Sequence, residues 1–104
     1  MGYQTWRSNA PACGGRQITV GTGAVQLAPP QDGMIVDEVS VYADEGNSGH
    51  IYIGGADVSA TSGFKLPADR GLGGIRVVNL DVIWAVADAA AQYLWIFYTL
   101  PSIA

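Results

Sequence analysis

This sequence is short of charge. Of its 104 residues, five are Lys or Arg and nine are Asp or Glu, giving a formal net charge of −4. The five cations stand singly along the chain, with no basic stripe to neutralise phosphates, which argues against a nucleic-acid partner. There is one cysteine, Cys13, so no internal disulfide can form, and the expected state is a reduced thiol with no redox role. There is one histidine, His50, with no Cys or second His at ligand spacing, so a zinc site cannot be assembled. His50 also lacks an evident nucleophile and acid beside it, so neither an enzyme nor a cofactor is expected. The segment Asp44-Glu45-Gly46-Asn47-Ser48-Gly49 carries side-chain oxygens but not the spaced acidic ladder or closing glutamate of a calcium loop. The Gly21-Thr22-Gly23 triplet lacks the helix pattern and Lys-Thr pair of a phosphate loop. The longest apolar run, Tyr93 to Tyr98, falls far short of the roughly 20 residues of a membrane helix. The amino terminus lacks the apolar core of a signal peptide, and Trp6 stands where myristoylation wants Ser or Thr. A soluble protein made in the cytoplasm is expected, with no membrane partner.

What the chain does have is apolar content, at 49% of residues, and 14 glycines. Area scaling for this size gives about 5,600 Å² folded against roughly 15,800 Å² unfolded, so one domain can bury a real core without disulfides or metal. High apolar content with little charge argues against disorder and implies that a partner covers part of the surface.

The stretch from Gly46 to Pro67 organises the reading. A turn at Gly46-Asn47-Ser48-Gly49 leads to the alternating strand Ile51-Tyr52-Ile53 and a break at Gly54-Gly55. A small, polar surface loop follows, tacked down at Phe64 and Leu66. Before it, Arg16–Val20 places Ile18 and Val20 on one face, and Ala24–Leu27 places Val25 and Leu27 inward, the two reading as a hairpin about Gly21-Thr22-Gly23. Pro29-Pro30-Gln31-Asp32-Gly33 ends that unit. Met34–Ala43 reads as the longest clean strand, with Ile35, Val39, Val41 and Ala43 in phase with Asp37, which is expected to lie wet near the strand end. After Leu66, Pro67–Gly74 reads as a turn-rich connection, Ile75–Val78 as a short strand, and Val82–Val86 as a strand with no polar face. Asp88–Gln92 reads as a loop.

The last strand, Tyr93–Leu100, carries large apolar groups on both faces, which implies burial inside a sandwich or under a partner. Burying three such side chains contributes on the order of 5–9 kcal/mol before entropic costs. An intersubunit contact is expected there, with Trp84, Tyr93, Trp95 and Phe97 as interface candidates in a cyclic homo-oligomer. Residues 1–15 show no period and read either as a frayed terminus or as an extended N-terminal arm, with Tyr3, Trp6 and Arg7 as anchors on a neighbour. Residues 16–104 form the domain. About eight short strands without a convincing helix predict an all-β fold, an antiparallel β-sandwich or jelly roll.

The succession Ile18-Thr19-Val20, Val25-Gln26-Leu27, Val39-Ser40-Val41-Tyr42-Ala43, Asn47-Ser48-Gly49-His50-Ile51-Tyr52-Ile53-Gly54, Thr61-Ser62-Gly63-Phe64-Lys65-Leu66 and Val78-Asn79-Leu80-Asp81 resembles small β-sandwich proteins encoded in tailed-bacteriophage structural gene clusters. The likeness spans Arg16 to Leu100. It implies a virion-surface role as a capsid decoration (cement) protein, head fibre or tail appendage. A decoration protein would form a homo-oligomer, a trimer being the expected form, and contact the major capsid protein through Tyr3, Trp6 and Arg7. The alternative is a fibre or tail module that binds host glycan, with Tyr42, Tyr52 and Trp84 stacking on sugar rings.

Overall fold

A computed structural model describes residues 13–28, 35–77 and 79–100. Among the described residues, eight strands run in chain order: β1 (Cys13–Val20), β2 (Val25–Gln26), β3 (Glu38–Ala43), β4 (Ile51–Gly54), β5 (Phe64–Leu66), β6 (Gly71–Ile75), β7 (Trp84–Ala87) and β8 (Gln92–Thr99). A 3-10 turn at Leu80–Val82 precedes β7. Every pairing is antiparallel. The strands form two four-stranded sheets, ordered β1-β8-β3-β6 and β2-β7-β4-β5. Strands thus pair from the chain ends inward, first with eighth, second with seventh, third with sixth and fourth with fifth. Successive pairs fall in alternate sheets, which is jelly-roll connectivity. The fold class expected from the sequence is therefore observed, in its jelly-roll form.

The core follows the alternation. Val39, Val41 and Ala43 of β3 and Leu94 and Ile96 of β8 point inward from the first sheet. Ile51 and Ile53 of β4, Leu66 of β5 and Ala85 and Ala87 of β7 meet them from the second, with Val20, Leu27 and Leu80 closing the ends. Burial at period two along each strand is the expected signature of one sheet face against a core.

Several local expectations are corrected. Arg16–Val20 and Ala24–Leu27 do not form a hairpin, since β1 pairs with β8 and β2 with β7. The turn at Gly46–Gly49 likewise carries the chain from one sheet to the other, because β3 and β4 are not neighbours. Glycine signals chain reversal; it does not say which strand supplies the ladder. The hairpin in this region is β4–β5, across Gly55–Gly63. Of its two expected anchors Leu66 is buried, but Phe64 is 55% exposed, and Val58 is buried in its place. Strand β1 takes in Cys13, Gly14 and Gly15, opposite Thr99, Tyr98 and Phe97, residues assigned by sequence to the arm. The strand expected at Ile75–Val78 lies upstream at Gly71–Ile75, and Val78 is outside the described residues. Its glycines show no side-chain period. They allow a close approach, with a Cβ on Gly71 falling 3.1 Å from the Val41 carbonyl oxygen. The phase expected from Ile35 also breaks: Val36 is buried, Ile35 is exposed, and β3 begins only at Glu38. Asp37 lies wet at that break, 3.9 Å from Arg76.

Candidate functional site

Strand β8 sits between β1 and β3, near the middle of its sheet. Its inward residues fill the core, so its outward residues, Tyr93, Trp95 and Phe97, share the opposite face. They are 42%, 45% and 51% exposed. Aromatics at alternate positions of one strand make a ridge. The registers place Gly15 of β1 and Ser40 of β3 on either side of Phe97, and Gln17 and Tyr42 on either side of Trp95. Small neighbours leave a groove of about 360 Å³ beside the rings, lined by Gly15, Arg16, Ser40, Tyr42, Trp95 and Phe97 among others.

The polar tips of the ridge are tied down. The Trp95 indole N–H donates to Asp44 Oδ1 at 3.0 Å, while Asp44 Oδ2 accepts from the Gly46 N–H at 2.9 Å. These bonds, that from Trp95 foremost, hold the Asp44 carboxyl below its ordinary value. The Tyr42 hydroxyl donates to Asp69, and this bond, reinforced by nearby carboxylates, pushes the phenol up to about 12. Asp69 itself adopts φ +64°, a left-handed turn conformation that aspartate tolerates, and its N–H donates to the Ala43 carbonyl at 2.9 Å. Asn47 completes the clamp: its amide N–H donates to the Tyr93 carbonyl at 2.9 Å, and its Oδ1 accepts from the Tyr93 N–H at 2.8 Å. The loop that resembled a calcium site in composition therefore orients aromatic side chains. One Asp44 oxygen holds the Trp95 indole and the other the Gly46 N–H of the loop itself.

The expected interface set divides. Tyr93, Trp95 and Phe97 come together on the outer face of the first sheet. Trp84 lies on the outer face of the second, half-buried against Tyr52, Val58 and Val86. Tyr52 is buried, so Tyr42, Tyr52 and Trp84 do not form a common stacking surface. Tyr3, Trp6 and Arg7 lie outside the described residues. Tyr42 joins the ridge, since the alternation of β3 that buries Val39, Val41 and Ala43 turns Tyr42 outward with Ser40. Asp44 and Asp69 as clamps were not visible in the sequence, because each reaches its ring across the fold.

His50 pairs with Asp88, Nδ1 to Oδ2, at 3.1 Å, and its backbone N–H donates to the other Asp88 oxygen at 2.8 Å. These bonds, the backbone one first, hold the Asp88 carboxyl low. Both side chains are substantially exposed. The pair joins the β3–β4 loop to the β7–β8 loop. Nearby, buried Gln92 accepts from the Gly49 N–H and donates to Ser48 Oγ and the Ala90 carbonyl, so its polar atoms are satisfied. Among the described residues, no three His, Cys, Asp or Glu side chains cluster as a metal site would require. Comparison with protein families, curated proteins and solved structures finds no match to this chain.

Proposed function

We propose that this chain is a tailed-bacteriophage virion structural protein, a capsid decoration protein that self-associates on the shell through the outer face of β8 and catalyses nothing. The observation that carries the reading is the row Tyr93, Trp95 and Phe97, exposed on one sheet face, with the Trp95 indole held by Asp44. Aromatics held rigid before contact lose little entropy on docking, which favours them as interface anchors. The sequence resemblance supports the virion setting, and the jelly roll suits a passive, rigid block, although many functions share this fold. The arm carrying Tyr3, Trp6 and Arg7 is assigned the shell contact.

The test uses undecorated capsids and purified protein. Full-length chain should bind saturably, and Phe97→Ser should weaken self-association about tenfold or more while leaving the fold intact by circular dichroism. Deletion of residues 1–12, which leaves β1 whole, should abolish capsid binding. Unchanged occupancy would remove the arm from the account.

A second reading, a glycan-binding module, is favoured by one feature: Tyr42 and Trp95 lie side by side with their polar tips held by carboxylates. Flat ring faces so fixed suit stacking on sugars. A glycan array with the purified protein separates the two, since selective binding that Trp95→Ser removes would favour the module.

A further inference from the structure

The four sheet edges of this jelly roll are not alike. In the second sheet the edges are β2, two residues long, and β5, three residues long. In the first sheet, the β6 edge carries a register shift against β3 and Gly74 at φ +73°. Short or bulged edges resist pairing with another chain. The β1 edge has neither protection. Its eight residues keep an unbroken register with β8, from Cys13 opposite Thr99 to Val20 opposite Gln92, with no proline and no lysine. Among the described residues, no strand pairs with its outer side.

The polarity of that edge can be worked out. The Asp44 N–H donates to the Tyr93 carbonyl, so Tyr93, and with it Trp95, Phe97 and Thr99, turn their backbone groups toward β3. Gln92, Leu94, Ile96 and Tyr98 therefore turn theirs toward β1, where Val20, Ile18, Arg16 and Gly14 receive them. The alternate residues of β1, Cys13, Gly15, Gln17 and Thr19, then point their N–H and C=O groups away from the sheet. Their side chains are exposed as well, and none is charged.

We propose that this edge pairs antiparallel with the β1 edge of a second copy, joining the two first sheets into one continuous sheet. Two features select a second copy. The edge is self-complementary: a two-fold axis at Arg16 sets Cys13 against Thr19 and Gly15 against Gln17 in both directions, matching every outward N–H with an outward C=O. Copies of this acidic chain repel one another, but β1 contains no acidic residue, and its one charge, Arg16, reaches toward the Leu27 carbonyl at 3.4 Å. The axis stands normal to the sheet, so both aromatic ridges emerge on the same side, roughly 14 Å apart at three strand spacings. This contact goes beyond the ridge reading and does not require it. Being two-fold, it makes dimers, or links rings in pairs, and does not by itself close a three-fold ring.

The test is sedimentation velocity on full-length protein over a concentration series, combined with cross-linking. In an antiparallel hydrogen-bonded pair the Cα atoms lie about 5.5 Å apart, within disulfide reach. Thr19→Cys, oxidised with diamide, should therefore give dimers in which the new thiol is bonded to Cys13 of the other copy, identified by peptide mass spectrometry. Gln17→Pro removes a donor that faces away from β8, so the native ladder survives. It should weaken the two-fold contact about tenfold with the melting temperature unchanged. Gln17→Lys, an edge-blocking charge, repeats the test without proline. Phe97→Ser should leave the disulfide yield unchanged, which separates failure of this contact from failure of the ridge. The proposal is overturned if no Cys13-to-position-19 disulfide forms between copies, or if neither Gln17 substitution changes self-association.

Discussion

The two sheets have similar outer faces and opposite treatments of them. On the second sheet, Tyr52 and Trp84 are covered by the chain itself: the loop Gly55–Gly63 folds back and seats Val58, 7% exposed, against both and Val86. The fit is close. A Cβ on Gly63 would fall 2.7 Å from Val58 Cγ2, and one on Gly54 2.9 Å from the same atom. On the first sheet, Trp95 and Phe97 have a comparable apolar surface, and the described loops approach only the ridge's polar end. Those loops bind ring tips and the Tyr93 backbone and leave the ring faces bare. A face covered by its own loop contributes to folding. A face stiffened but left open is suited to a partner.

The largest way to break this contrast is to uncover the second sheet. Val58→Asp should place a carboxylate in the apolar contact and cost about 2 kcal/mol of stability, read as a lower urea midpoint with little change in slope. It should also raise binding of a hydrophobic dye. If stability does not move, the loop is not what covers Tyr52 and Trp84. The corresponding change on the open face, Phe97→Ser, should leave stability within about 0.5 kcal/mol while weakening self-association about tenfold or more. A large stability loss there would mean that Phe97 belongs to the fold.

The clamps give smaller effects. Tyr42 is pushed up to about 12 because its hydroxyl donates to Asp69, against an ordinary value of 10.0. The native state therefore holds this proton where the unfolded chain has released it. The associated stability is present below pH 10 and drains away as pH rises toward 12. Asp69→Asn should move the Tyr42 absorbance titration back toward 10.0. Asp44 and Asp88 act in the opposite sense. Both are held below the ordinary 3.8, so the native state binds fewer protons than the unfolded chain, and their contribution is full above that value and lost as pH falls through the lowered one. Asp88→Asn should slightly flatten the fall in thermal stability on acidification, the least of these effects, since the pair is exposed.

How much of this was legible in advance differs from strand to strand. The inward phase of β3 and the existence of β4 and β8 follow directly from alternating side chains. Strand β6 was not legible because Gly71, Gly73 and Gly74 carry no side chains to alternate; only backbone pairing with β3 makes a strand of them. The ridge was half legible. Tyr93–Leu100 announced too many large apolar groups for one buried face, but which three were bare depended on β1 and β3 flanking the strand with Gly15 and Ser40. Trp84 was grouped with them by composition and belongs elsewhere, because a tryptophan's type does not say which sheet its strand joins.

By itself, then, the sequence determined an all-β chain with a core large enough to stand without disulfides, strands marked at period two, and more aromatic surface than one small core absorbs. Those are local properties: pleat, turn chemistry and area. Which strands became neighbours, which aromatic face the loop around Val58 covered, and which edge no other described strand pairs with were decided only in three dimensions. Each of those depends on contacts between residues tens of positions apart, to which the alternation along a single strand carries no pointer.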